Sequence, residues 1–114
     1  MKYEEIVPIS RQDASLAFSS GSPEDIANAL IRVVYHDPDW RWAQELCIEY
    51  AQHPDSSVAG LAVTCFGHLA RIHGELDLER VMPILRELKQ DEKIGGRVED
   101  ALDDISMYMP GTRI

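Results

Sequence analysis

The stretch HPDSSVAGLAVTCFGHLARIHG, residues 53–74, decides the fold, because it spells one long buried helix with its own start and stop signals. Pro54 interrupts whatever precedes it, Asp55 offers a carboxylate to the free amides of a first turn, and Gly74 is suited to the left-handed conformation that ends a helix. Between them Val58, Leu61, Ala62, Cys65, Phe66, Leu69, Ala70 and Ile72 recur at spacings of three and four. Apolar residues at that period form a broad face that must be covered by other helices. Gly60 and Gly67 read as positions of close helix packing.

Working towards the N-terminus, HDPDW (36–40) repeats the signal, with Asp37 as the cap and Pro38 opening a helix that carries Trp40, Ala43, Leu46, Cys47, Tyr50 and Ala51. Before it, Ser22-Pro23-Glu24-Asp25 opens a helix on Ile26, Ala27, Leu30, Ile31 and Val34, with acids at the positive end of its dipole. Residues 10–20 read as a short helix and residues 1–9 as an extended lead-in. Working the other way, Asp77 caps a helix with Leu78, Val81, Met82, Ile84, Leu85 and Leu88, in which Pro83 predicts a kink. A last helix starts near 94–96, carries Val98, Ala101, Leu102, Ile105 and Tyr108, and ends at Met109-Pro110-Gly111.

No segment alternates with period two for long enough to make a strand, so the fold class is all-α. At 114 residues the chain reads as one domain, large enough for a core of its own. Short connections make successive helices antiparallel neighbours.

The net charge of -9, from 20 acidic and 11 basic residues, disfavours nucleic acid as a partner and favours a basic protein. The N-terminus lacks the pattern of a secretion signal, and no run approaches the roughly 18 apolar residues of a membrane span. A cytoplasmic protein is expected. Cys47 and Cys65 lie on apolar helix faces without a second cysteine or histidine at zinc-ligand spacing, and read as buried thiols.

A shift of 36 residues superposes Asp55 on Asp91, Ala62 on Val98, Cys65-Phe66 on Ala101-Leu102 and Leu69 on Ile105. A two-helix unit near this period is characteristic of helical repeats. HPDSSVAGLAVTCFGHLA and DEKIGGRVEDALDDI resemble the turn and second helix of HEAT repeats, and Pro83 matches a proline common in their first helix. That resemblance covers residues 23–109 and implies a short α-solenoid of antiparallel hairpins, with residues 1–22 as lead-in and cap. In size, charge and fold the chain is similar to immunity proteins that neutralise secreted toxins in interbacterial competition, including contact-dependent growth inhibition (CDI) systems. The resemblance implies a binding module that occludes a toxin domain, with a nuclease as the best fit because RNA-binding surfaces are basic. A HEAT-like adaptor in a regulatory complex is the alternative.

Two sets of side chains stand out as partner-binding candidates. Trp40, Arg41 and Trp42 place two rings about 200° apart on a helix, so one ring should enter the core and the other stay partly exposed as an interface anchor, with Tyr35 as a companion. Glu99 with Asp103, and Asp100 with Asp104, form two like-charged ridges on the last helix. His68 and His73 are five apart and do not share a metal, while His36 and His53 stand beside prolyl turns. The chain has no nucleophile elbow and no phosphate-cradling glycine loop. No catalytic, metal-binding or cofactor-binding residue is identified, and no small-molecule substrate is expected. A repeat-built enzyme such as a DNA glycosylase would require a basic concave surface, which the charge opposes.

Overall fold

The computed structural model describes residues 5–109, which form six helices: α1 Arg11–Ser19, α2 Pro23–His36, α3 Trp40–Tyr50, α4 Ser56–His73, α5 Leu78–Leu88 and α6 Gly95–Tyr108. The protein is all-α over this range. Residues 1–4 of the lead-in, and Pro110 and Gly111 of the terminator, lie outside the described residues.

Local chemistry sets most helix starts. Ser10 and Ser22 accept from the amides of Asp13 and Asp25, three residues on, at 3.0 and 3.3 Å. Asp55 accepts from the amides of Ser57 and Val58 at 2.8 and 3.3 Å, and Gly74 closes α4 at φ 66° with its amide on the Ala70 carbonyl. Two starts differ from the sequence reading. The cap of α3 is Asp39, which accepts from the Trp42 amide at 3.1 Å; Asp37 accepts from the Asp39 amide and from Arg11, so Pro38 precedes the helix. At α5 the Asp77 side chain makes no capping bond; its backbone amide donates to Gln44 Oε1 at 2.7 Å. The helix continues through Pro83.

Helix α4 is the centre of the packing and contacts α2, α3 and α6. Val58, Ala62, Val63, Cys65, Phe66, Leu69 and Ala70 are buried along it, against Leu30, Val33 and Val34 of α2 and Val98 and Ile105 of α6. Each fully buried aliphatic or aromatic side chain contributes about 1.5–3 kcal/mol relative to exposure. The two glycines of α4 permit the approach of α6. A Cβ at Gly60 would lie 3.1 Å from Arg97 Nε, and one at Gly67 would lie 2.6 Å from Asp104 Oδ2. These contacts ascend both helices together, so α4 and α6 run in the same direction.

The even-numbered helices therefore lie side by side in the order α2, α4, α6. The odd-numbered helices are tied to one another by side chains: Phe18 of α1 stacks on Tyr50 of α3 at 5.3 Å, and Glu45 of α3 pairs with Arg80 of α5. The lead-in is pinned to α2, where Arg32 donates to the carbonyls of Val7 and Pro8 at 3.0 and 2.9 Å and His36 Nε2 lies 2.6 Å from that of Ile6.

The 36-residue shift has a structural counterpart. Asp91 accepts from the amides of Lys93 and Ile94 at 2.7 and 3.2 Å, as Asp55 does from the residues 36 positions earlier. Ala62 and Val98, Cys65 and Ala101, and Leu69 and Ile105 are buried pairwise; Phe66 is fully buried while Leu102 is half-buried.

Candidate partner interface

The acidic residues of α6 divide between two faces, because Val98, Ala101 and Ile105 turn one side of the helix into the core. Glu99, Asp100 and Asp103 are exposed. Asp104 is half-buried and lies across Gly67, so it serves both as surface charge and as a packing group.

The tryptophan corner is built differently from the expectation of one core ring and one exposed ring. Both Trp40 and Trp42 are half-buried at the edge of the core, and each carries an arginine on its face: Arg41 lies 4.7 Å from the Trp40 centroid and Arg11 lies 4.4 Å from that of Trp42. A helical spacing of two separates the rings, and the guanidinium groups cover what the core leaves open. Arg11 also donates to both carboxylate oxygens of Asp37, at 3.0 and 3.2 Å, which ties α1 to the α2–α3 turn. Burial pushes the Asp37 carboxyl up, but the Arg11 hydrogen bond, the Asp39 amide and the Arg11 charge outweigh it and leave the group below its ordinary value.

A third constellation spans α2 and α4; from the sequence, Tyr35 is read only as a companion of the tryptophans and His68 only as a histidine without a metal partner. Arg71 Nη2 lies 3.2 Å from both Tyr35 Oη and His68 Nδ1, and its guanidinium carbon lies 5.6 Å from the Tyr35 centroid. Tyr35 and His68 meet edge to face at 5.2 Å. Burial, and then the Arg71 charge, lower the imidazole below its ordinary value against an opposing pull from Asp104. A neutral His68 leaves Nδ1 free to accept from Arg71. On the same surface Arg97 of α6 donates to Thr64 Oγ1 of α4 at 3.1 Å. The only signal for this cluster in the chain is the residue type, since tyrosine and arginine are common interface anchors.

Of the other histidines, His53 holds the turn before α4, where its Nδ1 accepts from the Asp55 amide at 3.0 Å, while His36 fastens the lead-in. Cys47 and Cys65 are buried and unbridged, and burial, together with a hydrogen bond that the Cys47 thiol donates to Cys65, pushes the Cys47 thiol up. Among the described residues no group of three or more His, Cys, Asp or Glu side chains is placed to hold a metal. Also among them, no helix is long and apolar enough to cross a membrane.

No protein-family model and no curated protein matches the chain. Among solved structures it matches a chain of the crystal structure of a CDI complex from Cupriavidus taiwanensis LMG 19424, with 36% identity and a TM-score of 0.83. The match covers 95% of this chain and 96% of the other. This chain belongs to the family of that CDI-complex subunit. The two chains therefore share one fold over nearly the whole of their lengths. The tryptophan corner, the α6 acids and the Tyr35–His68–Arg71 cluster are features of this member's surface.

Proposed function

We propose that the protein is the immunity member of a CDI toxin–immunity pair and neutralises its toxin by covering the toxin's active site or substrate path. The observation that carries this reading is the 36% identity, over nearly the whole of both chains, to a component of a CDI complex. The charge of -9 supports it: the immunity member of a pair is the acidic binder where the toxin acts on nucleic acid through a basic surface. The contact surface includes Glu99, Asp100 and Asp103, the exposed acids of α6, with Asp104 beside them and Trp40, Arg41 and Trp42 at its edge. Action by binding makes the protein a cytoplasmic inhibitor and not an enzyme. The HEAT-like solenoid reading belongs here too, supported by the matching turns at Asp55 and Asp91 and by the row α2, α4, α6.

On this reading the gene directly upstream encodes the cognate toxin, and the test uses the toxin domain found there. Co-expression should protect cells from that domain, and the purified pair should form a stoichiometric, salt-sensitive complex. Charge reversal at Glu99, Asp100 and Asp103 to lysine should weaken the complex and leave the helical spectrum unchanged. A wild-type protein that neither binds nor protects would overturn the reading.

A further inference from the structure

The α3–α4 and α5–α6 turns, related by the 36-residue shift, face each other across a cleft of about 520 Å³. Ligand pockets typically run from about 300 to 1,000 Å³. The floor of the cleft is apolar, made by the buried Ala51, Ala59 and Ile94 with half-buried Leu88. Its rim is polar. The α5–α6 turn places the exposed acids Asp91 and Glu92 there against one base, Lys93, and the α3–α4 turn adds Ser56 and His53, whose Nδ1 is engaged with the Asp55 amide.

The field in the cleft favours a cation. The carbonyl ends of α3 and α5 border it, at Ala51 and Leu88, and these are the negative ends of the helix dipoles. The amide ends of α4 and α6 border it too, but there Asp55 and Asp91 accept from the free amides and set a carboxylate against each positive end. At Asp91 both of these bonds fall on Oδ1, so among the described residues Oδ2 and the Glu92 carboxylate are engaged by no hydrogen bond or ion pair. An apolar floor beneath an acidic rim matches a side chain with an aliphatic stem and a charged head.

We infer that this cleft is an anchor pocket for an arginine or lysine side chain of the toxin domain, its stem over Ala59, Leu88 and Ile94 and its cation against Asp91 and Glu92. The inference rests on the immunity reading and adds to it a defined point of attachment. The charge of -9 draws a basic surface to the protein as a whole, whereas a pocket of this kind fixes where one cation of that surface must sit. The pocket opens at the start of α6. Asp100 follows Ile94 by about 9 Å of helical rise, so a single partner domain can span the pocket and the exposed acids of α6.

The experiment measures binding of the cognate toxin domain to wild type, Glu92→Lys, Asp91→Asn and Ser56→Trp, with Glu79→Lys at the start of α5 as a control of equal charge change. Asp91→Asn keeps the oxygen that accepts the two amides and removes only the charge; Ser56→Trp fills the cleft from its exposed rim. Glu92→Lys and Ser56→Trp should each raise Kd by about 10-fold or more, Asp91→Asn should raise it less, and Glu79→Lys should stay near wild type. Alanine replacement of each arginine and lysine of the toxin should reveal one whose loss weakens binding to wild type but costs little more in Glu92→Lys. If wild type binds and Glu92→Lys and Ser56→Trp bind as tightly with unchanged helical spectra, the inference falls while the immunity reading stands. Loss of binding in Ser56→Trp alone, with the charge variants unaffected, would also overturn it, because the occupant would then carry no cation. If wild type does not bind, both readings fall.

Discussion

Asp104 lies directly across Gly67, so close that a Cβ on the glycine would stand 2.6 Å from its Oδ2 and 3.1 Å from its Cβ. The central helix is joined to α6 through this missing side chain. Gly67→Ala gains about 1 kcal/mol of helix propensity but forces Asp104 out of its place, at a cost of about 1–3 kcal/mol for overpacking. We expect a net loss of about 1 kcal/mol in urea unfolding, and expect Asp104→Ala to relieve most of it in the double variant. Simple additivity of the two changes would show that the residues do not press on each other.

The buried Gln44 side chain is an inter-helix tie, accepting from the Asp77 amide at 2.7 Å at the start of α5. Gln44→Leu keeps the volume and removes the acceptor, leaving that amide unpaired. The expected destabilisation is about 1–3 kcal/mol, with faster amide exchange at Asp77 and in the first turn of α5. Exchange rates equal to wild type would exclude Gln44 as the tie.

The turns at Asp55 and Asp91 should answer alike to substitution. Asp→Asn at either position keeps a capping oxygen and should be mild, whereas Asp→Ala should lower the thermal midpoint. For Asp55 the Ser57 hydroxyl, then the Ser57 and Val58 amides, hold the carboxyl below its ordinary value. Its contribution is therefore complete above the ordinary carboxylate range and is lost as pH falls through the lowered value. Stability measured from pH 7 down to pH 2 should drop less steeply in Asp55→Asn than in wild type; parallel curves would remove the carboxylate from the account.

His68 should titrate below the ordinary imidazole value of 6.5, since burial and Arg71 both disfavour its cation. The folded protein then binds fewer protons than the unfolded chain around that value. Stability from this group is present above the ordinary pKa and declines as pH falls through the lowered one. An NMR titration of the ring should show the depressed midpoint, and Arg71→Ala should move it upward. A midpoint that ignores Arg71 would dissolve the cluster as an electrostatic unit.

Legibility in the sequence followed the range of each interaction. Starts at Ser22 and Asp55 were readable because cap and amide lie two or three residues apart, and the stop at Gly74 because its φ of 66° suits glycine. The start of α3 was misplaced because Asp37 is claimed by Arg11, 26 residues away, while Asp39 does the capping. The α6 acids were visible as charges, but the division of Asp104 from the other three depends on the approach of Gly67 from another helix.

The chain by itself determined the helical class, the central place of residues 53–74, the 36-residue correspondence and the acidic surface, all properties of spacing and composition that precede any long-range contact. Only the tertiary structure decided which polar groups meet. Tyr35, Thr64, His68, Arg71, Arg97 and Asp104 come from three helices, and nothing local in the chain specifies that α2, α4 and α6 lie side by side. That order results from burying the broad apolar face of α4, and these polar groups are what the packing leaves on the outside.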